Sequence, residues 1–418
     1  MTEPRADVHR AIEAVARHSY GRLVAYLASR TGDVAGAEDA LGDALVAALT
    51  RWSNDGVPGS PEAWLLTTAR NRLIDRNRHE RVRERVHDGV YNAAAVELLA
   101  RGDDDPTHAD AFPDDRLKLL FVCAHPAIDP AMHTPLMLQA VLGLDAAAIA
   151  RAFVIAPATM SQRLVRAKAK IRETGIAFEV PEADQLTERL DAVLNAVYAA
   201  FGSGWDSAAG VDATGVGLTD EAIWLARVLN ERLPDEPEVR GLLALMLHSD
   251  ARRAARRGAD GRFIPLSEQD PSLWDAAAIA EAERELALAG AAQRPGRFQL
   301  EGAIQSVHAE RARTGVTDWS AIATLYEGLV RLAPTLGARV GRAAAVAEVH
   351  AAGPALALLD DIDAHAANYQ PYWAVRAHLL RRLARHDEAA AAYDRAVELA
   401  TDPAVRSYLQ RSRNARPR

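Results

Sequence analysis

Cysteine, lysine, aromatic residues and long apolar runs are all scarce in this chain, and each scarcity excludes something. Cys123 is the one cysteine in 418 residues. A lone thiol cannot close an internal disulfide and leaves no Cys-x-x-Cys zinc site, so a reducing cytoplasm is the expected compartment and no metal or other cofactor is expected. Only Lys118, Lys168 and Lys170 are lysines, so arginine carries almost all the positive charge, as GC-rich coding would produce. Positive charge is not in excess either. The formal net charge of −8 excludes a protein that coats nucleic acid indiscriminately, and any DNA contact must come from local basic surfaces. No uninterrupted apolar run approaches the ~18 residues of a membrane span, and Met1 to Arg10 is too polar for a signal peptide, so no membrane partner is expected.

What is present is alanine and leucine. Aromatics make up 6% of the chain, and there is little alternation of β-branched residues, which favours helices over strands throughout. The expected fold class is all-α. At this length two to four domains are expected. Composition divides the chain into a helical segment with an Arg-rich end (1–87), an acidic linker (88–113) and a second helical module (114–175). A long helical extension follows, read as 184–290 and 291–418. Breaks within it are expected at Gly202-Ser203-Gly204, Gly215-Val216-Gly217, Gly258 to Gly261 and Arg294-Pro295-Gly296.

Two stretches carry chemistry. From Glu62 to Arg85, Trp64, Leu65, Thr68 or Ala69, and Leu73 describe one buried helix face. Seven arginines fall between Arg70 and Arg85 against Asp75, Glu80 and Glu84. Such a helix can serve phosphates and base edges through Arg70, Arg72, Arg76, Arg78, Asn71 and Asn77. It can equally be a solvated face with i,i+4 pairs such as Arg76–Glu80. The second stretch, Asp145 to Arg172, reads as a helix-turn-helix. Asp145 is the N-cap, Val154-Ile155-Ala156 the turn, and Pro157 the first residue of the second helix. In that helix Met160, Leu164, Ala167 and Ile171 form a core stripe, and Thr159, Gln162, Arg163, Arg166 and Lys170 lie opposite. Five basic residues and no acid occur between Pro157 and Arg172, the division a recognition helix requires. Gln162 suits adenine and Arg163 suits guanine.

The residues ahead of the Arg-rich helix extend the pattern. Ala37-Glu38-Asp39-Ala40-Leu41-Gly42-Asp43 begins an acidic amphipathic helix ending at Trp52, followed by a loop and then Trp64-Leu65. This order and spacing resembles region 2 of the extracytoplasmic-function sigma factors, a class of the sigma-70 family of bacterial RNA polymerase. Thr159-Met160-Ser161-Gln162-Arg163-Leu164-Val165-Arg166-Ala167 resembles their region 4. The resemblance implies that Glu38, Asp39 and Asp43 contact the polymerase core. It further implies that the loop from Asn54 to Ser60, with Asn54, Asp55 and Gly56 foremost, takes a base flipped from a melted −10 element. Asn71, Arg72, Asp75 and Arg78 would then hold that element. Thr159, Ser161, Gln162, Arg163, Arg166 and Lys170 would read a double-stranded −35 element. Gly42 departs from the pattern, since the family commonly has a polar helix former there.

The linker carries seven acids from Glu97 to Asp115 against Arg101, and reads either as a spacer or as a nucleic-acid mimic in the polymerase cleft. The extension resembles a sigma subgroup with a fused tetratricopeptide-like domain. Its markers include Leu233-Pro234-Asp235-Glu236-Pro237-Glu238-Val239, Ala251 to Arg256, Asp260-Gly261-Arg262 and Trp274. Tyr326-Glu327, Leu359-Asp360 and Tyr393-Asp394 recur at spacings of 33 and 34 residues, the tetratricopeptide period. The best unit runs from Tyr372 to Leu399, with Ala384 at the usual turn glycine, and a protein partner on these repeats is expected. His248, Asp250, Asp260, Glu268 and Asp270 show no ligand spacing, so neither catalysis nor a metal is expected. The expectation is a non-enzymatic sigma factor bound to core RNA polymerase and promoter DNA. The alternative is a helix-turn-helix regulator with a tetratricopeptide sensor that never joins the polymerase.

Overall fold

The computed structural model describes residues 3–84, 114–153, 155–207, 213–362 and 366–415. The acidic linker at 88–113 and Val154 of the turn lie outside the described residues. Among the described residues the fold is all-α, with no strand and a single isolated bridge between Arg257 and Phe263. The chain forms two compact units, Met1–Gly204 with Val216–Leu225, and Trp205–Gly215 with Ala226–Arg418.

The first unit begins with α1 (Glu3–His18), α2 (Tyr20–Thr31), α3 (Val34–Asp55) and α4 (Pro61–Glu84). Asp33 starts α3 by accepting the Gly36 amide at 3.0 Å, which satisfies one of the orphan donors of the first turn. Ala37, Ala40, Leu41, Ala44, Ala48 and Trp52 then recur every three or four residues and are all buried. They face Leu23 and Leu27 of α2 and Leu65, Ala69 and Leu73 of α4, each almost fully shielded. Each such leucine stabilises the bundle by roughly 1.5–3 kcal/mol. Trp52 and Trp64 meet edge to face at 5.5 Å and pin the end of α3 to the start of α4.

Four helices follow: α5 (Arg116–Cys123), α6 (Pro130–Ala140), α7 (Ala146–Ala152) and α8 (Pro157–Thr174). Asp145 caps α7 through the Ala148 amide at 2.7 Å, and Pro157 opens α8, where its missing N–H costs nothing. Cys123 is wholly buried with Leu119, Leu120 and Phe121 as a packing residue, and burial pushes its thiol well above the usual range. The two helix sets touch closely. A Cβ on Gly21 of α2 would run into the Val141 carbonyl oxygen, so only glycine permits this approach.

The next helices are α9 (Ala183–Ser207) and α10 (Ala213–Arg232). Both run through glycine clusters where the sequence predicts breaks. α9 includes Gly202-Ser203-Gly204, and α10 includes Gly215-Val216-Gly217. A helical glycine costs ~1 kcal/mol relative to alanine, and the buried Val193, Val197, Ala200 and Phe201 of α9 outweigh that.

The second unit is built around α11 (Pro237–Asp250), whose Leu242 to Leu247 are buried on every side. An irregular stretch, 251–275, contains the turn at Gly261 (φ 77°). It leads to α12 (Ala276–Ala291), α13 (Arg297–Ala309) and the short α14 (Arg311–Thr314). Here the two remaining expected breaks do occur. Glu238 of α11 caps α13 from a distance, accepting the Phe298 and Gln299 amides at 2.9 and 3.1 Å. Further helices complete the unit: α15 (Trp319–Leu332), α16 (Leu336–Val349), α17 (Ala352–Asp360), α18 (Gln370–Arg382), α19 (His386–Leu399) and α20 (Pro403–Asn414). One core joins α16 to α20 through Leu356, Leu359, Tyr372, Leu379, Tyr393 and Leu409. Ala384, between α18 and α19, takes a left-handed φ of 57°, the conformation glycine would adopt without penalty.

Candidate nucleic-acid interface

The α3–α4 junction differs in detail from the loop the sequence suggests. Ser53, Asn54 and Asp55 belong to the last turn of α3, and Gly56 ends it at φ 86° with its amide on the Trp52 carbonyl at 3.0 Å. The helix continues because Trp52 is still packed there. Only Gly56 to Ser60 are left as connection, and Asn54, Asp55 and Gly56 are all exposed.

α4 buries Leu65, Leu66, Ala69 and Leu73 and turns Asn71, Arg72 and Asp75 to solvent. Asn71 and Arg72 have no hydrogen-bond or ion-pair partner among the described residues. Arg78 lies on α4, but its side chain falls outside the described residues. Arg76 spans to Asp39 of α3 at 3.3 Å. The intrahelical partner suggested by spacing, Glu80, also falls outside the described side chains.

The three carboxylates of α3 separate. Asp43 is exposed, and Asp39 is mostly exposed beside Arg76. Glu38 instead faces inward and is paired with Lys168 of α8, both side chains about nine-tenths shielded. Burial raises the Glu38 carboxyl above its ordinary range, and the Lys168 charge opposes that rise. In this arrangement Glu38 holds two helices together and is closed to an outside partner. Arg172 lies 3.6 Å from Asp33, extending the same seam. Asp115, at the start of α5, accepts from Ser29 at 2.7 Å and pairs with Arg30 and Lys118.

α8 divides as the sequence pattern indicates. Met160, Leu164, Ala167 and Ile171 are buried, while Thr159, Ser161, Gln162, Arg163, Arg166 and Lys170 are exposed. None of these six is hydrogen-bonded through its side chain or ion-paired among the described residues. Arg163, Arg166 and Lys170 thus form a positive strip with no internal counter-charge, beside two short polar groups and an amide at the helix start. Such a face can take DNA phosphates and base edges without first breaking a bond within the protein.

Sequence reasoning missed the seam made by Lys168, Glu38, Arg172 and Asp33. One signal for Lys168 existed: it stands four residues after Leu164 and three before Ile171, on the apolar stripe. Its partner could not be identified, because Glu38 lies 130 residues away. Among the described residues no cluster of ligand-type side chains could hold a metal, and no helix is long and apolar enough to cross a membrane.

Comparison with known proteins adds independent observations. Residues 15–83 match the model of Sigma-70 region 2, and residues 189–290 match a family of unknown function, DUF6596. An uncharacterized protein of Rhizobium meliloti (strain 1021) is 38% identical over 380 residues, covering 90% of this chain and 88% of that protein. No solved structure matches the chain.

Proposed function

Because this chain belongs to the sigma-70 family of transcription initiation factors, we propose that it acts as a sigma factor of the extracytoplasmic-function class with two separate promoter contacts. A sigma factor directs core RNA polymerase to promoters and performs no covalent chemistry itself. The observation that carries the finer reading is the outward face of α8, whose three cations are exposed and have no ion-pair partner among the described residues. In this reading Gln162 and Arg163 read bases of a −35 element. Thr159 and Ser161 assist at the helix start, while Arg166 and Lys170 hold phosphates.

On α4, Asn71, Arg72 and Asp75, with Arg78 further along, hold the −10 element, and Asn54, Asp55 and Gly56 receive its flipped base. Unstacking a base costs a few kcal/mol, a magnitude that several such interactions can supply. For the polymerase itself, the exposure of Asp39 and Asp43 supports them as the core-binding groups. Glu38 can join them only after α8 leaves α3 and the Lys168 pair opens. The helical hairpins after Trp319, with their 33–34-residue period, are read as tetratricopeptide-like and take a protein partner that regulates the sigma modules.

The test is binding of the full chain to purified bacterial core RNA polymerase in competition with another sigma factor. Stoichiometric displacement, weakened at least tenfold by Asp39→Arg with Asp43→Arg, is the expected result. DNA binding without any polymerase binding would replace this reading with the helix-turn-helix regulator.

A further inference from the structure

The second unit contains a cavity of about 270 Å³, lined from α16, α18, α19 and α20 and by Trp319 of α15. Val375, Leu379 and Leu409 give it apolar walls, and the rings of Trp319, Tyr393 and Tyr408 line it with them. Each ring is held by a neighbour. Trp319 meets His308 edge to face at 5.4 Å, and Tyr408 meets Phe263 in the same way at 5.5 Å. The Arg381 guanidinium lies 5.5 Å from the Tyr393 ring centre. A cavity of roughly 150 Å³ already accepts benzene, so this one has room for an aromatic ring with a short polar arm. Drug-sized ligands occupy roughly 300–1,000 Å³, and a smaller molecule suits the space here.

The charges of the lining favour an anion. Arg381 lines the same cavity, and its Nη1 donates to the Ser412 carbonyl at 2.8 Å, a neutral acceptor. It has no ion-pair partner among the described residues. Glu348, the carboxylate of the lining, is already engaged: it accepts from Arg382 at 2.9 Å, and Arg382 is not part of the wall. His378 adds no charge, because burial, and then Arg381 and Arg382, lower its pKa and keep the imidazole neutral. The hydroxyls of Tyr393 and Tyr408 have no hydrogen-bond partner among the described residues, although Tyr393 is buried.

A guanidinium only donates, and a phenol hydroxyl can donate, so an acceptor serves both. One guanidinium charge matches a monoanion, and its planar fork fits a carboxylate. Aromatic walls favour a ring that can stack or meet them edge to face. We propose that this cavity binds a small aromatic carboxylate, its ring among Trp319, Tyr393 and Tyr408 and its carboxylate on Arg381. The helical hairpins after Trp319 then carry a small-molecule site of their own, apart from polymerase and DNA binding.

The test is isothermal titration of the full chain with phenylacetate at constant ionic strength. Saturable binding at one site per chain is the expected result. The neutral 2-phenylacetamide keeps the ring and loses the charge, and should bind about tenfold more weakly. Cyclohexylacetate keeps the charge and loses the aromatic ring, and should bind about threefold more weakly. Arg381→Gln should weaken phenylacetate about tenfold. Ala344→Phe, which fills the cavity and leaves Arg381 in place, should abolish binding. Thermal unfolding of each variant checks that it is folded, and the two analogues make the same comparison on the unaltered chain if one is not. Phenylacetate that does not saturate, analogues that bind as tightly, or folded variants with unchanged affinity would overturn the proposal.

Discussion

Arginine serves opposite purposes in the two units. On α8, Arg163 and Arg166 are exposed, with no ion-paired carboxylate among the described residues. In the second unit the arginines are largely consumed by the fold. Arg240 pairs with Glu285 at 2.5 Å, Arg297 with Glu301 at 2.8 Å, Arg342 with Glu327 at 2.6 Å and Arg376 with Asp360 at 2.6 Å. The same side chain is therefore open to an outside ligand in one place and a structural strut in the other. Composition cannot tell them apart, whereas the presence of an internal acid does.

The sharpest way to break this comparison is to remove arginines of each kind and measure both binding and stability. Arg163→Ala with Arg166→Ala should weaken promoter DNA binding by about 1–3 kcal/mol for each side chain that reads a base, with a shallower salt dependence and an unchanged unfolding midpoint. A lowered midpoint with unchanged DNA affinity would put these two in the structural class. The converse case is Arg257, whose guanidinium is paired with the shielded Asp402 ahead of α20. Asp402→Ala should cost about 2–3 kcal/mol of stability, from the uncompensated charge and the missing cap on Ala404, and should leave DNA affinity untouched.

Acid titration separates the units next. His248 and His308 of the second unit bind protons far less readily when folded, near pH 4 against 6.5 unfolded. Between those values the unfolded chain holds more protons, so stability is lost as pH falls from 6.5 toward 4. His308→Gln should remove on the order of 2 kcal/mol of that loss, measured by denaturant unfolding at a series of pH values. Glu38 in the first unit has the opposite sign. Its folded carboxyl keeps its proton above the ordinary 4.5, so stability from this group falls as pH rises through that window. Glu38→Gln should flatten that slope. It should also loosen α8 from α3, which hydrogen exchange of the α8 amides would register.

The smallest effect expected is a gain. Ala384→Gly relieves the left-handed φ between α18 and α19 and should stabilise the chain by about 1 kcal/mol. Polymerase and DNA binding should not change, which would sharpen the separation of the two units.

Legibility in the sequence followed the range of the interactions. The α8 stripe and its polar face were readable because helical period alone sorts residues three and four apart. The Asp145 cap, the Pro157 start and the special turn at Ala384 were readable for the same local reason. The glycine clusters in α9 and α10 misled because propensity is a small effect that burial overrides. The end of α3 was misplaced because Trp52 packs against Trp64 and prolongs the helix past its own signals.

What the sequence determined by itself is the all-α class, the faces of α3, α4 and α8, and the likeness to sigma factors, all set by neighbours within a turn or two. Only the tertiary structure decided which charges are free. Glu38, Asp39 and Asp43 look equivalent along α3, yet one is sealed against Lys168, one pairs with Arg76 at the surface and only Asp43 is left exposed without an ion pair among the described residues. The same holds for Arg252, whose bond to Gln305 of α13 shows only in the tertiary structure. Charge is written residue by residue, but its cost and its use depend on burial and on partners distant in the chain.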